Sequence, residues 1–149
     1  CGKSAGGADF IETEYAGSTL YVYNWGEYIS DGSDGSLDVI ALFEDTYGID
    51  VKYDYFSTNE EMYAQISSGA SYDIVIPSDY MIERMVNEGL LYELDFSNIP
   101  NYHYIADQYR GQYFDPSDKY SVPYAVGMIG IVYNKTMVDE VTDRHLDHI

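Results

Sequence analysis

Apolar positions recur along this chain with two alternating periods. In residues 19–24, "TLYVYN", Leu20 and Val22 alternate with Tyr21 and Tyr23, the two-residue period of a strand. Between residues 37 and 47, Val39, Ile40, Phe43 and Tyr47 fall at helical spacing, and Gly48 supplies a stop. The unit then repeats. "IDVKYDY" sets Ile49, Val51, Tyr53 and Tyr55 on one strand face, with Asp50, Lys52 and Asp54 on the other. Thr58 and Glu61 form a capping-box pattern ahead of Met62, Tyr63 and Ile66, a short helical stripe. "DIVIP" reads as a central parallel strand buried on both faces. Met81, Ile82, Met85 and Val86 then make a third helical stripe, ended by Gly89. Strand and helix in threefold alternation predict an α/β fold, a parallel sheet wrapped by crossover helices.

Other stretches are less periodic. "DGSDGS" marks a loop whose Asp31 and Asp34 lack the spacing and closing glutamate of a calcium loop, so a plain turn is expected. Residues 90–119 carry Pro100, Pro116 and several tyrosines, and predict loop with a short helix near 104–109. "YSVPYAVGMIGIVYNK" predicts one or two further strands broken at Pro123 and Gly127. The opening "CGKSAGGADFIETEYAGS" is small, polar and acidic without periodicity, which assigns residues 1–18 to a tether.

Parallel strands end on one edge of a sheet, and ligands of open α/β sheets settle beyond that edge. Residues 24–28, 57–59 and 77–80 are the turns that leave it. The first carries Trp25, the chain's one tryptophan, with Glu27 and Tyr28; the last carries Ser78, Asp79 and Tyr80. Aromatic faces beside carboxylates suit an organic cation, because the ring quadrupole and the negative charge both attract it. The structural alternative is that Trp25 and Tyr28 cover the sheet end while Ser78 or Asp79 caps the next helix.

Charge sharpens this picture. The 149 residues hold 26 Asp and Glu against 7 Lys and Arg, a formal net charge of -19. That balance argues against nucleic acid and anionic membrane surfaces and favours a cationic ligand, although acidity also keeps an exported protein soluble. Most of the 18 tyrosines are expected to be structural. One cysteine forms no internal disulfide. No run approaches the ~20 apolar residues that span a bilayer, so any membrane attachment is by an anchor.

"LYVYNWGEYIS", "STNEEMYAQISSGASYDIVIPSDYMIERMVNEGLLYELD" and "YSVPYAVGMIGIVYNK" together resemble the spermidine/putrescine-binding proteins of ABC importers, over about residues 19–139. The resemblance implies the first lobe of a type II periplasmic-binding-protein-like fold, a mostly parallel sheet with helices on both faces. In it residues 19–135 form the substrate-binding lobe, and residues 136–149 begin the crossover to a second. It implies an extracytoplasmic protein that captures a polyamine and delivers it to an ABC permease, with no cofactor, no metal and no catalysis. By motif position, Trp25, Glu27, Tyr28, Ser78 and Tyr80 line the cleft. Gly26 and Asp79 depart from the family's small hydroxyl residues, and Asp79 adds a negative charge. Cys1 resembles the lipid-bearing first residue of a mature bacterial lipoprotein. Most amine-gripping carboxylates of such proteins lie in the second lobe, so weak binding and self-association through the bare cleft face are expected. Rival readings are a ferric-ion binder of the same fold, which the tyrosines favour and the remote His103, His145 and His148 disfavour, and a small hydrolase, for which Ser78 lacks a G-x-S-x-G elbow.

Overall fold

The central strand of the sheet is the first one in the chain. In the computed structural model, which describes residues 10–134, β1 (Thr19–Trp25) lies between β2 (Asp50–Phe56) and β3 (Ile74–Val75), and both pairings are parallel. Thr19 sits opposite Asp50 and Trp25 opposite Phe56, so β1 and β2 run in step for seven residues and end together. α1 (Val39–Tyr47) joins β1 to β2, α2 (Asn59–Ser67) joins β2 to β3, and α3 (Asp79–Asn87) follows β3.

Those two crossovers step across the sheet in opposite directions, and the right-handed rule therefore sends α1 and α2 to opposite faces. Side chains agree. Tyr23 and Phe56 point to one face and form a buried cluster with Met62 of α2 and with Met81 and Met85 of α3. Glu44 of α1 reaches the outer edge of β2, where Val51 N donates to its Oε1 at 2.7 Å. The open parallel sheet with helices on both faces is thus as the periodicity predicts.

Local chemistry sets the element ends. Asp38 caps α1 by accepting from Ala41 N, and Gly48 closes it in the left-handed region at φ 66°. An added Cβ there would lie 3.1 Å from the Phe10 ring, so both conformation and space call for glycine. Thr58 Oγ1 accepts from Glu61 N as the capping-box pattern predicts, while Glu61 Oε2 accepts from Ser57 N, one residue before the N-cap, and not from Thr58 N.

Four expectations need correction. β3 is two residues long and forms the sheet edge among the described residues, with Ile74 at 46% exposure, so it is not a strand buried on both faces. Residues 121–134 form no strand among the described residues, and Met128, Ile129, Ile131 and Val132 are almost fully exposed. The short helix near 104–109 is instead part of a chain of 3-10 turns, Phe96–Asn98, Pro100–Tyr104 and Asp107–Tyr109. Residues 11–18, assigned to the tether, bond to the lobe: Ile11 N donates to Thr46 O and Gly17 N to Gly48 O, at 2.7 and 2.6 Å. Cys1 and residues 135–149 lie outside the described residues.

Tyr72 stacks on Tyr23 at 4.5 Å between centroids and donates to Asp54 Oδ2 at 2.9 Å. Burial, then the bond to Asp54, push its phenol from 10.0 up to about 12. The fold therefore favours neutral Tyr72; this contribution is complete below pH 10 and disappears as pH rises toward 12. Urea midpoints measured between pH 9 and 12 are expected to fall less steeply in Tyr72→Phe than in the parent, and identical slopes would refute the linkage.

Candidate ligand-binding site

Because β1 and β2 end in register, their outgoing turns start side by side. Trp25 is half-buried, with its ring 4.6 Å from Phe56 and 6.1 Å from Tyr28. Its position is set from behind by Asn24, which is 1% exposed, accepts from Trp25 N at 2.7 Å and donates to Tyr53 Oη at 2.6 Å. A solvent-open groove of about 320 Å³ runs between the two turns, lined by Trp25, Gly26, Glu27, Tyr28, Tyr55, Phe56 and Ser57. A second open depression of about 700 Å³ continues past Glu27 and Tyr28 to Asp31, Asp34 and Tyr124. There Asp31 and Asp34 accept from Ser33 and Ser36, and these hydrogen bonds lower both carboxyls below the usual range. "DGSDGS" is thus a pair of side-chain-stabilised turns.

The third turn meets the first two through a different contact. Ile76 N donates to Tyr23 O, and continuing the register of β1 with β3 sets Pro77 beside Trp25. Ser78 stands at the N-cap of α3, yet its side chain makes no capping bond. Its Oγ accepts instead from Asn59 Nδ2 at 3.0 Å, and the same amide nitrogen donates to Tyr80 Oη at 2.9 Å. Tyr80 Oη donates to Glu60 Oε1 at 3.1 Å. Asp79 Oδ1 accepts from Tyr80 N at 2.7 Å, and a hydrogen bond with Asp79 raises the Tyr113 phenol.

All six candidate residues therefore leave one rim. Trp25, Glu27 and Tyr28 share one groove, whereas Ser78 and Tyr80 bond to Asn59, Asp79 accepts from Tyr80 N, and these three line neither hollow. Sequence reasoning missed Tyr124, whose hydroxyl donates to Tyr28 O and whose ring lies nearly parallel to that of Tyr28 at 6.3 Å. The position of Tyr124 just after Pro123, inside a recognisable motif, was the available signal.

The electrostatics are one-sided. Among the described residues Lys52, Arg84, Arg110 and Lys119 each pair with a carboxylate at 2.6 to 3.2 Å, and none lines either groove. Exposed Glu27 and the faces of Trp25, Tyr28 and Tyr124 thus look onto solvent without a cationic neighbour in the lining. Such a surface can hold an ammonium group by charge and ring quadrupole together, each ring contact contributing about 0.5–2 kcal/mol according to desolvation.

The chain is similar to several known proteins. The sequence model of the bacterial extracellular solute-binding protein family matches residues 25–144. The spermidine/putrescine-binding periplasmic protein of Salmonella typhimurium is 36% identical over 126 residues, which cover 83% of this chain and 34% of that protein. The putrescine/cadaverine-binding protein of Pseudomonas aeruginosa is 35% identical, covering 85% of this chain and 34% of its own length. The crystal structure of the spermidine/putrescine ABC transporter substrate-binding protein PotD from Streptococcus pneumoniae matches with a TM-score of 0.74 and 45% identity, over 83% of this chain and 36% of that one. The chain thus spans about a third of the length of these relatives. With the family model covering most of its length, the chain belongs to the bacterial extracellular solute-binding protein family.

Proposed function

We propose that this chain is a ligand-binding lobe of an extracytoplasmic protein that captures polyamines such as spermidine or putrescine for an ABC importer. The observation that carries the reading is the gathering of Trp25, Glu27 and Tyr28 around one open groove at the carboxyl rim of the sheet, with no cationic side chain in its lining. Names of the relatives support the ligand class. In this reading Trp25 and Tyr28 pack on the methylenes and face the ammonium groups. Glu27 accepts charge-assisted hydrogen bonds. Ser78, Asp79 and Tyr80 complete the rim, and the protein is a carrier, not an enzyme. The importer's permease is its partner. Among the described residues no helix is long and apolar enough to cross a bilayer.

A ligand held on one open face stays half hydrated, and its ion pairs stay screened. Calorimetric titration of this chain is therefore expected to give polyamine dissociation constants weaker than roughly 10 μM, weakening further with salt. Joining the chain to the remainder of the Salmonella relative is expected to tighten binding strongly. A nanomolar constant for the chain alone would refute the half-site account; heat with ferric citrate but not spermidine would favour the iron-binding rival.

Self-association follows from the same exposed faces. Met128, Ile129, Ile131 and Val132 leave an apolar strip in water. Light scattering is expected to show an average mass that climbs with concentration, and a constant monomer mass at high concentration would contradict it.

A further inference from the structure

Asn59 follows the N-cap of α2, a position where solvent exposure is ordinary, yet it is only 5% exposed. Its amide reaches 19 and 21 residues along the chain to the turn after β3. Since Ser78 N can only donate, the atom facing it at 2.9 Å is Oδ1, and this fixes the Nδ2 side toward the two hydroxyls. Both Nδ2 hydrogens are then committed, one to Ser78 Oγ and one to Tyr80 Oη. Ser78 is thereby drawn away from capping α3, which would otherwise use its Oγ. The Tyr80 hydroxyl, accepting from Asn59 and donating to Glu60, is held at both ends, while its ring stays 47% exposed.

We infer that Asn59 is a positioning residue that ties the turn after β2 to the turn after β3 and presents Ser78 Oγ and the Tyr80 ring to a cationic ligand. The inference rests on the polyamine-binding reading for the ligand, but the fixing of Tyr80 does not. A purely structural role would be served by any buried contact between α2 and α3. Here all three bonds of one amide go to the two candidate residues, and the aromatic face that results is left open to solvent.

The test pairs Asn59→Ala with Thr58→Ala, which removes the neighbouring helix cap without touching Ser78 or Tyr80. With ¹³C-labelled tyrosine, the couplings of Tyr80 should report one side-chain rotamer in the parent and in Thr58→Ala, and averaged rotamers in Asn59→Ala. Tyr80 fixed in all three proteins would overturn the inference. Spermidine titrations followed by chemical shift should then give about 5- to 10-fold weaker binding for Asn59→Ala and an unchanged constant for Thr58→Ala. Tyr80→Phe should weaken binding in the parent and change nothing further in Asn59→Ala. Equal losses in the two alanine variants would reduce Asn59 to a stability role and refute the inference. If the parent bound no spermidine, the polyamine reading would fall and the ligand-presenting role with it, while the rotamer data would still judge the positioning.

Discussion

Replacing Met85 by alanine is expected to lower the unfolding free energy by about 2–5 kcal/mol, enough to populate unfolded chain at room temperature if the fold has ordinary stability. Met85 is 1% exposed and packs with Met62, Met81, Tyr23 and Phe56 in the buried cluster beneath α2 and α3. Three of those five residues are methionines, unbranched side chains that fill irregular gaps between helix and sheet. Truncation removes most of the buried side chain and leaves a void that close-packed neighbours only partly fill. The cluster is small, so one member is a large share of it. Met85→Leu nearly conserves volume and should cost less than about 1.5 kcal/mol. Urea unfolding followed by circular dichroism separates the two; equal midpoints for Met85→Ala and the parent would show that the cluster does not hold the fold.

Asp115→Ala is expected to release the segment that carries Tyr124. Asp115 is 3% exposed, and its carboxylate accepts from Lys119 N, Tyr120 N, Ser121 N and Ser121 Oγ at 2.8 to 3.0 Å. No other residue type of that length accepts so many donors at once without a competing hydrogen of its own. Alanine would strand three backbone N–H groups, and water entering the loop would recover only part of what is lost. A local penalty of about 2–4 kcal/mol follows. Hydrogen exchange at Lys119, Tyr120 and Ser121 should accelerate about 30- to 1,000-fold, while amides of β1 keep their protection. Tyr124 would then lose its stacking on Tyr28, and the floor of the larger depression would open. Unchanged exchange at these three amides would contradict the anchoring role.

Both residues show what the sequence makes legible. Met85 was readable because helical spacing sets it one turn from Met81 and directs both to the sheet. The alternation of β1 and β2 located both strands but not their pairing, since Phe56, which joins Tyr23 in the core, lies on the β2 face that carries Asp50, Lys52 and Asp54. Residues 121–134 carry a comparable run of apolar positions yet form no strand among the described residues, because periodicity alone does not specify a ladder. Asp115 looked like any loop aspartate beside a proline. Its burial depends on the loop closing over it, which is a property of three dimensions.

The candidate site divides in the same way. Trp25, Glu27 and Tyr28 could be located because strand ends of a parallel sheet share a rim. Asn59 could not be separated from an ordinary helix start, since a residue after Thr58 has no sequence mark of burial. Tyr124 was hidden among 18 tyrosines, whose spacing says little about which rings meet. What physical reasoning supplied was the edge where ligands bind. Which side chains complete that edge depended on contacts between turns distant in sequence.

If the three outgoing turns of the parallel sheet make a cation-binding rim, as we propose, a spermidine titration mapped onto assigned amide, indole and tyrosine resonances will trace that rim. Saturable, salt-sensitive shifts are expected at the Trp25 indole, Glu27, Tyr28, Ser78, Tyr80 and Tyr124, with little change in the 3-10 turns from Phe96–Asn98 onward. Shifts centred on those turns, or a response to spermidine that ignores Trp25 and Tyr28, would contradict it.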